Sequence, residues 1–246
     1  MFAFLKNHPF AVDAFFESST VLTFAIPQQH LRLLVPDSLE LDVFEDKWAF
    51  IAVAMVQTTA LRPAGLPRFL GSSFFLIGYR IFVRFTTKAG KRLRGLYILK
   101  SETDQKKMEL LGNLFTHYHY TTTDITRTQH GNKTLIASQQ SDFHVELVTT
   151  PLSVQLPANS PFATWQQARR FAGPLPFTFT WLADAKTMLL IEGQRENWVP
   201  EPLTVSSYQF EFLDAFRGQG LVLASAFTVR NIPYHWKKGR LEPCSS

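Results

Sequence analysis

Cysteine is nearly absent from this chain of 246 residues: the single one, Cys244, sits near the C-terminal end. One thiol closes no internal disulfide and builds no zinc site. Such scarcity suits a reducing compartment, so a soluble, cytoplasmic protein is expected. Long apolar runs are missing as well. The longest, WAFIAVAMV at 48–56, falls far short of the roughly 20 residues a membrane helix needs, so no membrane partner is expected. The opening stretch MFAFLKNHPFAVDAFF carries Lys6, Pro9 and Asp13 where a secretory signal needs unbroken apolar sequence. No G-x-S-x-G, G-x-G-x-x-G or Walker sequence occurs, which removes the serine-hydrolase elbow and leaves nucleotide cofactors without support. No cofactor is expected.

Concentrated charge is lacking too. The formal net charge is +5, but the basic residues are scattered, and the tightest groups are Lys88 to Arg94 and Lys237 to Arg240. Both read as solvated turns or tails. A nucleic-acid surface would gather such residues on one face, so no nucleic-acid partner is expected.

What the chain has is apolar bulk: 46% hydrophobic residues and 23 Phe, enough for a substantial core. No repeat or linker divides it, and it is read as one domain over 1–246. STVLTFAI (19–26) reads as a strand and PQQHLRLLV (27–35) as a short helix opened by Pro27. LELDVF and WAFIAVAMVQTT form a hairpin, followed by a loop over 61–73. FFLIGYRIFVRF (74–85) and RLRGLYILK (92–100) form a second hairpin turning at Gly90. SETDQKKMELLGN reads as a helix, with Ser101 or Thr103 as cap and Gly112-Asn113 as stop. LFTHYHYTTTDITRTQ (114–129) and the segment 134–150 then pair across QHGN. A helix opened by Ser160-Pro161 and stopped by Gly173-Pro174 precedes strands near 176–182, 187–193, 205–212 and 220–232. Many strands with a few short helices predict a mainly β, antiparallel barrel or sandwich.

Two places carry candidate chemistry. In FFLIGYRIFVRF, period two puts Phe75, Ile77, Tyr79, Ile81 and Val83 on one face and Phe74, Leu76, Gly78, Arg80 and Phe82 on the other. Both faces are apolar, so Arg80 requires a buried carboxylate or an anionic ligand. In LFTHYHY, a strand would send His117 and His119 to one face and Tyr118 and Tyr120 to the other. His117-x-His119 with Asp124 resembles part of the cupin metal motif, although no companion with a third histidine follows. The favoured reading has no metal.

The segments LRLLVPDSLELDVFEDKWAFIAVAMV, YRIFVRF with GKRLRGLYILKSETD, LLGNLFTHYHY and FTVRNIPYHWKKGRLEP, in that order, resemble an uncharacterised, YqjF-like bacterial family. That family lies within the acetoacetate decarboxylase-like superfamily. The resemblance implies a large antiparallel, roughly conical β-barrel with short peripheral helices and a central cavity. In the decarboxylases a lysine after a short helix forms a Schiff base with the keto acid. His117 and Tyr118 fall where those lysines would be, Lys106-Lys107 comes too early, and Leu76 replaces a frequent glutamate. Schiff-base decarboxylation is therefore not expected. The expected function is binding of a small anionic organic molecule by Arg80, with Tyr97, Lys100, His117 and His119 supplying hydrogen bonds. Tyr97 and Lys100 share the cavity only if a bulge intervenes. The alternatives are a keto- or hydroxy-acid enzyme using His117 or His119 as general base, and a cupin-like metal enzyme. In NIPYHWKK, Tyr234 and Trp236 either close the barrel or form the interface of a homo-oligomer.

Overall fold

The apolar alternation becomes long strands in the computed structural model, which describes residues 3–149, 155–173 and 175–244. The first part of the chain holds β1 (Val12–Pro27), the short β2 (Glu40–Leu41), β3 (Trp48–Pro63), β4 (Ser72–Thr86) and β5 (Arg92–Thr103). Next come β6 (Tyr120–Thr122), β7 (Thr126–His130), β8 (Lys133–Ser138) and β9 (Phe143–Val148). The last part holds β10 (Phe177–Leu182), β11 (Thr187–Arg195), β12 (Glu201–Pro202), β13 (Thr204–Phe210), β14 (Val222–Trp236) and β15 (Arg240–Pro243). The α-helices are short: α1 (Gln29–Arg32), α2 (Lys106–Phe115), α3 (Trp165–Phe171) and α4 (Glu211–Asp214).

Strands β14-β1-β3-β4-β5-β10-β11 form a ring, closed because β11 also pairs β14 through Gly193↔Trp236 and Arg195↔Tyr234. Closure removes the free edges that would otherwise recruit other chains. The pairings around the ring are antiparallel except β5 with β10, which is parallel. The expected antiparallel barrel thus has one parallel seam. The long excursion between β5 and β10 crosses over and returns in the same direction, which is the only way to make a parallel neighbour.

The second sheet, in the order β13-β9-β8-β7, lies against the outside of the ring. Leu22, Phe24, Met55, Ile77 and Tyr79 of the ring share one buried cluster with Ile136, Val145, Leu147 and Phe210 of that sheet. The β7–β8 hairpin turns at Gly131, whose φ of +60° suits glycine. The segment 134–150, expected as one strand, is folded back into β8 and β9, and Thr150 lies outside the described residues.

Inside the ring, Phe50 and Phe82 stack with each other and pack on Phe162 and Phe171 beside α3. Thr164 caps α3, its Oγ1 accepting from the Gln167 N–H at 3.1 Å. Helix α3 thus lays its apolar side against these aromatic rings while Gln166, Arg169 and Arg170 stay exposed, a short peripheral helix as the resemblance implied. This helix starts at Trp165 rather than at Pro161, and Pro174 of its expected stop lies outside the described residues. Strand β1 runs on to Pro27, which shortens the helix expected over 27–35 to Gln29–Arg32. Ser101 and Thr103 are the end of β5, so neither caps α2, whose N-cap position is Gln105.

Candidate functional site

Period two on β4 holds. Phe75, Ile77, Tyr79, Ile81 and Val83 join the outer core, while Leu76, Arg80 and Phe82 face a cavity of about 120 Å³ inside the ring. The Arg80 guanidinium lies back along its own strand over Gly78, where a Cβ would stand 2.8 Å from Nε and 3.0 Å from Nη2. Glycine there is what lets a long cation lie flat beside the backbone. Protein encloses the guanidinium, and its Nε has no hydrogen-bond partner.

A second arginine enters from across the ring. Arg195, at the end of β11, has its guanidinium carbon 4.7 Å from the Trp198 ring centroid and 5.6 Å from that of Tyr234. Its Nη2 is buried without a partner, and so is Trp198 Nε1. Among the described residues, no aspartate, glutamate or lysine lines this cavity. Burial pushes the pKa of both arginines below the ordinary arginine value. At Arg80 the neighbouring Tyr234, Tyr120 and Tyr118 oppose that shift, while the charge of Arg195 adds to it. An arginine still keeps its proton at neutral pH, so the cavity holds two cations without a counter-charge.

The polar lining comes from LFTHYHY, by a route different from the expected strand. Helix α2 runs through Gly112 and Asn113 to Phe115, and the chain is irregular until β6 starts at Tyr120. His119 adopts a left-handed φ of +52°. The Asn113 side-chain amide clamps the backbone of Tyr120: Nδ2 donates to its carbonyl and Oδ1 accepts from its N–H, both at 2.8 Å. The Tyr120 ring lies against Gly112, where a Cβ would come within 2.3 Å of it. Tyr118 shares a hydrogen bond with Thr178, and both tyrosines line the cavity. Burial pushes the Tyr120 hydroxyl up to about 12, although Arg80 opposes the shift, and it raises Tyr118 as well. Both therefore stay neutral and can donate.

Of the expected site residues, the structure brings only Arg80 to the cavity. His117 Nε2 lies 3.2 Å from Asn7 Oδ1, and His119 is exposed; neither lines the cavity. The pKa of His117 is lowered, first by burial and then by Lys6 and His119. Tyr97 packs on the outer core. Lys100 Nζ lies 2.8 Å from Glu102 Oε1 and 5.8 Å from the Tyr79 ring centroid, also on the outside. The bulge that would let Tyr97 and Lys100 share a face does exist, at Leu99, where Tyr79 pairs Lys100 and Arg80 pairs Ile98. It turns both residues outward and leaves Leu96, Ile98 and Ser101 facing in.

The two histidines are therefore not placed to act as general bases in the cavity. They do not converge with Asp124 either, which accepts from the Ser138 hydroxyl and, at 3.0 Å, from the Gln140 N–H. Among the described residues no three of His, Cys, Asp and Glu gather in a metal-binding cluster. Tyr234 and Trp236 lie 4.7 Å and 5.7 Å from the Phe16 ring and line the cavity, inside the ring rather than on an outer face.

Sequence reasoning missed Arg195 and Trp198. The strand expected over 187–193 stops two positions short of Arg195, which the polar neighbours Gln194 and Glu196 disguise as a surface residue.

The ring recurs in solved structures. Acetoacetate decarboxylase of Legionella pneumophila matches with a TM-score of 0.62 at 9% identity, over 95% of this chain and 87% of that one. The enduracididine biosynthesis enzyme MppR complexed with pyruvate gives 0.60 at 10%, over 97% and 92%. An acetoacetate decarboxylase-like enzyme of Sphingomonas wittichii RW1 gives 0.53 at 12%, over 98% and 93%. Identities this low establish a common fold, that of the acetoacetate decarboxylases. Comparison with curated proteins finds no match. The model of the family DUF2071, described as an uncharacterised conserved protein, matches residues 15–228, and the chain belongs to that family.

Proposed function

We propose that the protein binds a small organic anion inside the ring, held by Arg80, without Schiff-base decarboxylase chemistry. The observation that carries this reading is the enclosed Arg80 guanidinium, which has no carboxylate partner and faces a cavity bordered by tyrosine hydroxyls. A planar guanidinium takes a carboxylate through two parallel hydrogen bonds, and Tyr118 and Tyr120 are neutral donors beside it. A relative in fold has been captured with pyruvate, a small carboxylate. The absence of lysine from the lining argues against an imine. Lys106 and Lys107 stand exposed on α2, and Lys100 faces the outer core. No helix among the described residues is long and apolar enough to cross a membrane, and the scarcity of cysteine supports a cytoplasmic site of action.

Short carboxylic and keto acids should raise the melting temperature, by several degrees at about a hundred times the dissociation constant. Borohydride added with acetoacetate should leave the intact mass unchanged. Lack of stabilisation by every acid, or a stoichiometric adduct on one lysine, would sink the reading.

A further inference from the structure

The anion-binding reading accounts for one arginine, and the cavity contains two. We infer that the preferred ligand is a short dicarboxylate spanning the ring, with one carboxylate on Arg80 and the other on Arg195. This inference rests on the proposed anion site and specifies its substrate class.

The argument is one of charge and position. Arg80 stands on β4 and Arg195 on β11, with β5 and β10 between them in one direction. In a ring of seven strands that is the largest separation the order allows. Each guanidinium keeps a buried nitrogen without a partner, Nε in Arg80 and Nη2 in Arg195. A monocarboxylate would satisfy one of them and leave the other guanidinium with its buried nitrogen unpartnered, at the cost that an unsatisfied buried donor carries. A compact dianion such as phosphate would concentrate its charge at one point, whereas the cations enter from facing walls. Two carboxylates on a short carbon chain match the count of the cations and their placement on opposite walls. The middle of the chain would meet the apolar inner face of Leu76, Phe82, Leu96 and Ile98. Trp198 Nε1, unpartnered and beside Arg195, is a further donor for the second carboxylate.

Calorimetric titration of the whole protein with succinate, propionate and inorganic phosphate tests this. Succinate should bind at least about tenfold more tightly than propionate, the effect of one added charge-assisted contact. Arg195→Met should reduce succinate to the level of propionate, with a far smaller loss for propionate itself, and a retained cooperative unfolding transition shows that the variant is folded. Arg195→Gln serves if the methionine variant fails to fold. Equal binding of the two acids by the wild type would overturn the dicarboxylate assignment while leaving the anion site standing. Phosphate binding more tightly than succinate, or Arg195→Met losing both acids together, would overturn it too. No binding of any of the three would remove the anion site itself.

Discussion

Arg80→Met should raise the melting temperature of the ligand-free protein while abolishing carboxylate binding. Most substitutions in a barrel wall lower stability. Here the wild-type side chain is a cation enclosed without a counter-charge, and replacing such a charge by an apolar residue of similar length removes a desolvation penalty. Methionine keeps the long unbranched stem and adapts to the space over Gly78. The expected gain is about 1–3 kcal/mol, or several degrees in a scanning calorimeter. Two arginines further along strands β4 and β5 provide the contrast. Arg84 and Arg94 both reach the fully buried carboxylate of Asp42, Arg94 Nε at 2.6 Å. Removing either partner there should destabilise the fold. Arg80 and Arg195 differ from these in lining the cavity with a buried, unpartnered nitrogen each, which is what the proposed anion would meet. A fall in melting temperature for Arg80→Met would mean that Arg80 supports the wall.

The second large effect concerns the seam where the ring departs from antiparallel pairing. A Cβ on Gly95 would stand 2.4 Å from the Phe177 carbonyl oxygen and 2.5 Å from the Phe179 ring. The oxygen belongs to a backbone fixed by the β5–β10 ladder, so it cannot move without opening the seam. Gly95→Ala should cost about 3 kcal/mol or more, read as a lowered urea midpoint, because overpacking against backbone has no cheap relaxation. Gly90→Ala is the control. Gly90 has a φ of +78° but open space around it, so its cost should stay near 1 kcal/mol from backbone strain alone. Equal costs at the two glycines would show the seam to be loose.

The long strands and the inward arginine were legible because β4 keeps strict alternation: each apolar residue reports a face, and Arg80 stands out among them. On β5 the same logic fails at Leu99. A bulge is a local insertion in hydrogen-bonding register that leaves no mark in composition, and it puts Tyr97 and Lys100 on one face, the outer one. LFTHYHY misled for a different reason. Gly112 and Asn113 look like a helix stop, yet Gly112 makes room for the Tyr120 ring and Asn113 clamps its backbone. Those are tertiary uses of residues whose local preference is for turns. The site therefore keeps the tyrosines of the row and excludes the histidines. Arg195 was invisible because Arg80, which faces the same cavity, is remote in sequence and its immediate neighbours are polar.

The most direct test of the proposed anion site is a crystal grown with 3-bromopropionate, the bromine located by its anomalous signal. The bromine should lie inside the ring, with the carboxylate oxygens about 3 Å from the Arg80 guanidinium and close to Tyr118 or Tyr120. No peak within the ring, with the acid instead in the outer cleft beside Arg62, Arg68 and His235, would contradict the account.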